Sequence, residues 1–293
     1  MITPLSKYPP CLINELAKYG QKPTGDLEWD KCVLDIMKRR ASDAAMIACM
    51  KVSNAVINFN KDNEETRKEI PDLSDPGIYE LHSRLLLHIA DRVVMAPQHR
   101  KFIVDDNNRQ VIRFLLYYFN DSPLAEEVFP NRGYKLHKNI MLQGGVGVGK
   151  TMLMQIFSEY MKQTKNPRFF HNVSVTQMVN HYSVHNDIDS YLYNIRDSRS
   201  FQGKPENICL NDIGVENRPF YGIDTTTIIH DFLHARNEIW ANGGEYDRRF
   251  AHLTTNLTTD QLKKLFEAKD AYGRVIDRFK TYNIIPLTGT SRR

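Results

Sequence analysis

Eight consecutive residues, Gly144-Gly145-Val146-Gly147-Val148-Gly149-Lys150-Thr151, constrain this chain more than anything else in it. They fit G-x-x-x-x-G-K-S/T without a mismatch. Such a loop lays backbone N–H groups on anionic oxygens, and glycines let the backbone approach that closely. It belongs between a buried strand and a helix, whose N-terminal dipole adds favourable charge. The flanks agree: Asn139-Ile-Met-Leu-Gln143 is a short apolar run, and Met152-Leu-Met-Gln-Ile-Phe157 is helix-compatible. The ligand implied is ATP with Mg²⁺. Residues 144–151 and Met152 would cradle the phosphates, Lys150 should reach the β- and γ-phosphates, and the Thr151 hydroxyl should ligate the metal.

Beyond the loop, strand and helix signals alternate. The spacing predicts a helix over 150–162 and a strand over 168–172. Helices follow at 174–183 and 187–197, then a strand at 207–211 and a long helix at 225–242. A strand at 251–255, helices at 260–267 and 273–279, and a strand at 282–287 complete the pattern. Alternation of this kind predicts an α/β fold, a parallel sheet flanked by helices. Upstream, Trp29, Cys32, Val33, Ile36 and Met37 recur at helical spacing, and a second helix is expected from Ser42 to Phe59. The Pro- and Gly-containing stretch 71–77 punctuates the chain. Then Ile78, Leu81, Leu85, Ile89 and Val93 share a helix face, and a helix from Asn107 or Asn108 carries Val111, Phe114, Leu115 and Phe119. The organisation expected is a small N-terminal helical domain over 1–70, a linker and connecting helix over 71–100, and the nucleotide-binding domain over 101–293.

A phosphate loop needs acidic company at the end of a neighbouring strand. Ile208-Cys209-Leu210-Asn211-Asp212 is the one good candidate, and it admits two registers. In the first, Asn211 takes the Mg²⁺ position and Asp212 is the catalytic base. In the second, Asp212 serves the metal and Glu216 supplies the base. An amide offers an oxygen but no charge to Mg²⁺, so the first register predicts slow turnover, and faster turnover for Asn211→Asp.

Four blocks in this order, Gly144–Thr151, Leu210–Glu216, His252–Leu257 and Tyr272–Arg278 with the closing Gly289-Thr-Ser-Arg-Arg293, resemble the AAA+ ATPases of the DnaC/IstB type, helicase loaders and transposition helpers. The resemblance covers about residues 100–293. It implies a P-loop NTPase of the AAA+ class, and its D-D/E-I/L-G pattern selects the first register. It further implies that Asn256 is a polar sensor holding the lytic water, against the alternative of an Asn capping the helix near Asp260. Arg278 becomes an arginine finger acting on a neighbouring subunit, against a surface pair with Arg274 neutralised by Asp277. Arg293 becomes the second sensor, with Arg292 as the alternative. The partners implied are a hexameric replicative helicase held by residues 1–70, single-stranded DNA, and copies of the chain in a ring or open spiral. An ATPase assembling on duplex DNA as a transposition helper is the alternative, as is a nucleotide switch that scarcely hydrolyses.

Composition narrows the rest. The net charge is +4, and residues 241–293 carry all of it, with ten Lys/Arg against six Asp/Glu. So small an excess gives no independent argument for nucleic acid. Four scattered cysteines exclude a disulfide framework, and the absence of a long apolar run and of a signal-like start points to a cytoplasmic protein without a membrane span. His230 and His234 lie four apart but lack a third ligand, so a metal pair is not expected. Tyr182, Tyr191 and Tyr193 with Arg196, Arg199 and Lys204 read equally as a single-strand stacking surface or as half-buried helix residues.

Overall fold

A computed structural model of the chain describes residues 8–41, 70–192, 205–214, 224–243, 248–267 and 273–292. The helix expected over 42–59 lies outside them, as do Tyr193, Arg196, Arg199, Lys204, Glu216 and Arg293. The chain divides into two compact units, residues 1–65 and 66–293.

In the first unit, α1 (Pro10–Lys18) opens on a proline at its first position, where the missing N–H costs nothing. Leu12 and Leu16, four apart, bury one face of it against Tyr8 and Leu34. Helix α2 covers 27–41. Its observed face differs from the one the apolar spacing selects. Trp29 and Ile36 are exposed, whereas Asp30 and Leu34 are buried. Asp30 goes inside because its carboxylate accepts from the Tyr8 hydroxyl at 2.8 Å and from both the backbone N–H and the hydroxyl of Thr24 at 2.9 Å. A buried polar group so satisfied outranks apolar periodicity.

The second unit is a three-layer sandwich. Its strands are β1 (Asn139–Gln143), β2 (His171–Ser174), β3 (Ile208–Ile213), β4 (Ala251–Thr255) and β5 (Tyr282–Pro286). All pair in parallel, in the order β2-β3-β4-β1-β5. Strand β4 is thus inserted between β1 and β3. This is an α/β P-loop NTPase fold, with the phosphate loop leaving β1 beside the tip of β4.

Helices cover both sheet faces, which is why β1, β3 and β4 are buried along nearly their whole length rather than on alternate residues. On one face lie α4 (Arg109–Phe119) and α6 (Lys150–Gln163). There Phe119 and Phe170 meet His252 of β4 edge-on, and Phe157 packs on Phe119. The other face carries α7 (Val175–His185), α9 (Thr225–Asn242), α10 (Thr259–Glu267) and α11 (Arg274–Arg278). Ile208, Leu210 and Leu253 meet Met178, Phe232 and Phe266 there. Short helices α5 (Ala125–Val128) and α8 (Asp189–Leu192) complete the unit. The strand expected at 168–172 begins only at His171, because Asn166 turns the chain first by accepting from the Arg168 N–H.

The segment before the nucleotide-binding domain is not a free tether. Helix α3 (Pro76–Ile89) is capped by Asp75 and packs on α6, where buried His82 meets the Tyr160 hydroxyl at 2.5 Å. It runs into a π-helical turn (Ala90–Met95) and a 3₁₀ turn (Ala96–Gln98), and His99 takes a left-handed φ of 54°. Among the described residues no helix is long and apolar enough to cross a membrane.

Candidate nucleotide site

The loop after β1 is built as the motif requires. Gly147 and Gly149 take φ of 82° and 100°, which side-chain-bearing residues avoid. A Cβ on Gly144 would stand 2.1 Å from the Leu287 carbonyl oxygen, and one on Gly147 2.3 Å from Ser291 Oγ. The glycines therefore serve two purposes, the phosphate cradle and passage of the C-terminal segment. That segment is hydrogen-bonded onto the loop: Leu287 N–H donates to Gln143 O at 2.7 Å, and Arg292 N–H to Gly147 O at 2.9 Å.

Lys150 and Thr151 begin α6. Lys150 is buried, and its Nζ donates to Gly144 O and Gly145 O at 2.8 Å and to Asn256 Oδ1 at 2.5 Å. Asn256 follows the end of β4 directly and so reaches the loop. It does not cap α10. Thr258 does that, accepting from Gln261 N–H at 3.3 Å while its own N–H donates to Gln261 Oε1 at 2.8 Å.

The tip of β3 departs from a regular strand. Leu210 pairs with Leu253 and Ile213 with Thr255, so Asn211 and Asp212 together oppose Thr254 alone. This is a β-bulge, with Asp212 at φ 66°. One hydroxyl organises it. Thr254 Oγ1 accepts the Asp212 N–H at 2.9 Å and donates to Asn211 Oδ1 at 3.2 Å. The two side chains then part. Asp212 Oδ1 lies 3.5 Å from Thr151 Oγ1. Asn211 is buried in the sheet, where its amide donates to Asn172 Oδ1 at 3.2 Å and to Val173 O at 3.4 Å.

A cavity of about 190 Å³ brings the loop together with Thr151, Met152, Asp212, Asn256 and Arg292. Asn211 does not line it. Gln98 and Arg100 do, and nothing in the motif pattern marks them. Beside it a second cavity, about 340 Å³, has a mixed wall: Met95, Phe102, Ile103 and Met152 stand among polar groups that include Lys101, Asp105 and Asn107. Arg292 stands between the two, held by a bidentate pair with Asp105 at 2.7 and 2.8 Å and by the Ile103 carbonyl. The guanidinium keeps the Asp105 carboxyl below the usual carboxylate range.

Arg278 is elsewhere. It ends α11, just before β5, whereas the phosphate loop follows the far end of β1. The strands pair in register from Asn139↔Tyr282 to Gln143↔Pro286. Five residues of strand separate the two by roughly 15 Å, more than a side chain spans. Asp277 pairs with Lys280, and Arg278 Nη1 is buried with no hydrogen-bond partner among the described residues. Tyr182 and Tyr191 pack partly buried against the core. His230 and His234 pair with Asp231 and Glu238, and no group of three or more metal-ligating His, Cys, Asp or Glu occurs among the described residues.

The residues present fit a nucleoside triphosphate and a hard cation. The cradle excludes side chains, one cation is fixed at its floor, and a hydroxyl and a carboxylate oxygen face each other as Mg²⁺ requires. No family model matches the chain, and no curated protein does. Among solved structures it is similar to the DnaC helicase loader, at 13% identity over 64% of this chain and 93% of that one, with a TM-score of 0.42. It is similar also to DnaI, at 18% identity over 64% and 88%, with a TM-score of 0.38. A third is AMPPCP-bound DnaA from Aquifex aeolicus, at 19% identity over 64% and 48%, with a TM-score of 0.35; the chain spans about half its length.

Proposed function

We propose that the chain is an AAA+ ATPase that binds MgATP at this loop, assembles with copies of itself, grips single-stranded DNA and delivers a hexameric replicative helicase. The observation that carries the nucleotide reading is the convergence of Lys150, Thr151, Asp212 and Asn256 on one glycine cradle. Lys150 is buried against the loop's own carbonyls and Asn256, so phosphate oxygens would replace partners it already has. Thr151 and Asp212 would hold Mg²⁺, whose role when bound is to neutralise charge on the β- and γ-phosphates. This is the second of the two registers. It is favoured because the Asn211 amide is committed to Asn172 and Val173. Asn256 would orient the attacking water. The second cavity, with Met95, Phe102, Ile103 and Met152 among polar neighbours, suits a base, and Arg292 is the sensor candidate that lines the site among the described residues.

Helicase delivery and single-strand binding rest on the four sequence blocks of the DnaC/IstB resemblance. The test is single-turnover ATP hydrolysis by the full chain, with and without single-stranded DNA, and co-purification with a hexameric replicative helicase. Cleavage stimulated by DNA and a stable helicase complex are expected. A transposase in place of the helicase would overturn the loader assignment.

A nucleotide-dependent switch with little hydrolysis is the second reading. One observation favours it: Asp212 is the one carboxylate lining the phosphate cavity among the described residues. If it serves the metal, the base must come from Glu216 or be missing. ATP bound intact over many hours would establish the switch.

A further inference from the structure

Two arginines border both cavities, and they are not equivalent. The Arg292 guanidinium is neutralised by Asp105 and tied to the Ile103 carbonyl. Arg100 is exposed, and its guanidinium makes no hydrogen bond or ion pair among the described residues. Free arginines are ordinary on a surface. This one is delivered to a particular place by an unusual stretch of backbone. The π-helical turn over Ala90–Met95 passes into the 3₁₀ turn, and left-handed His99 then reverses the chain. Asp91 Oδ1 fixes the return by accepting the Phe102 N–H at 2.7 Å. Gln98 and Arg100, on either side of His99, both line the phosphate cavity. Irregular helical turns of this kind recur where a chain must aim side chains at a ligand.

The charge arithmetic favours an anionic ligand for that guanidinium. Lys150, Arg100 and Arg292 line the small cavity against a single carboxylate, Asp212. Lys150 occupies the floor of the cradle, and Arg292 already has a counter-ion. Of the three, Arg100 is the one whose side chain has no hydrogen bond or counter-ion among the described residues, and it borders both cavities. A nucleotide whose base lies against Met95, Phe102, Ile103 and Met152 in the second cavity and whose phosphates fill the loop would carry phosphate or phosphate-linked ribose past it.

We propose that Arg100 is a second phosphate-binding cation in cis, supplied by the segment that precedes the ATPase domain. It closes on the polyphosphate from the side opposite Lys150. The inference rests on the nucleotide reading above and deepens it. ATP occupancy would then be felt by the π-helical turn, and so by α3.

The experiment is equilibrium titration of the full chain with fluorescently labelled ATP, with wild type, Arg100→Lys, Arg100→Ala and Arg100→Glu compared. Arg100 is exposed, so thermal midpoints should be unchanged in all four. The affinity should fall in the order Arg, Lys, Ala, Glu, with about a tenfold loss at Ala. Raising salt should weaken wild type more than Arg100→Ala. Equal affinities across the series, or equal losses for Ala and Glu, would overturn the proposal while leaving the nucleotide site intact. Failure of the wild type to bind ATP would overturn the site itself and the proposal with it.

Discussion

Asn211 shows how much one side chain's direction decides. On sequence it stands where a metal-binding carboxylate is expected, and restoring Asp there should speed hydrolysis. In the structure its amide donates to two acceptor oxygens, of Asn172 and Val173. A carboxylate in the same place would lose both donors and face two lone pairs, inside the sheet. Asn211→Asp should therefore destabilise the protein by about 2 kcal/mol and leave turnover no faster. Chemical denaturation and a steady-state ATPase assay check this; a faster enzyme of unchanged stability would put Asn211 back at the metal. Asp212→Asn, by contrast, should abolish hydrolysis with the fold intact. That a glycine loop leaves a buried strand and that Lys150 and Thr151 open the next helix was legible, because backbone and spacing carry it. The separate directions of the Asn211 and Asp212 side chains were not, since a bulge leaves no mark in residue types. Nor could sequence find Arg100, whose position depends on the left-handed residue just before it, His99.

At the scale of the element, β4 organises its neighbours through polar side chains in an apolar sheet. Thr254 Oγ1 serves both the Asp212 N–H and the Asn211 amide oxygen. Thr254→Val keeps the volume and removes the hydroxyl, leaving the Asp212 N–H without its acceptor and the Asn211 amide oxygen with the weak Cys209 thiol donor, at a cost of roughly 1–3 kcal/mol. Asp212 should lose its aim, so hydrolysis should fall at least tenfold while ATP still binds. Unaltered hydrolysis would show that the bulge is held by something other than this hydroxyl. His252, two residues earlier, accepts the Ile140 N–H on Nδ1, so its ring must be neutral. Burial, aided by Arg168 and Arg236, pushes its pKa down to about 3, and burial takes His82 down to about 4. Unfolded, both take up a proton near pH 6.5. Between these limits the unfolded chain binds more protons, so stability is complete above pH 7 and falls as pH drops. From pH 7 to pH 5 the two together should cost roughly 2–4 kcal/mol. His82→Phe should flatten part of that slope in denaturation midpoints. An equally steep slope in the variant would remove His82 from the account. The sheet and its flanking helices were readable from the alternation of short, largely apolar runs with helical periodicity. Helix α2 was legible, but the exposure of Trp29 and Ile36 was not, because Asp30 is buried by hydrogen bonds that periodicity cannot register.

At the scale of the whole molecule, one residue argues for assembly. Arg278 sits at the starting end of β5, and the phosphate loop leaves the finishing end of its parallel neighbour β1. A parallel sheet fixes that separation, and no hinge inside it can bring the two together. If Arg278 meets a phosphate during turnover, the phosphate belongs to another copy. Its Nη1 has no hydrogen-bond partner among the described residues, and Asp277 pairs with Lys280 instead. Arg278→Ala should then bind ATP with unchanged affinity and hydrolyse it about a thousandfold more slowly. Lys150→Ala should fail to bind ATP, yet keep an intact Arg278 to offer. Each variant alone is inactive for a different reason. Mixed, a subunit with an intact loop can be completed by a neighbour with an intact finger, so activity should return and should rise with total protein concentration. A mixture as inactive as its components, under conditions where wild type turns over, would mean that Arg278 acts within its own chain or not at all. Because both variants keep one half of the site, folding failure is excluded by the same experiment that detects complementation.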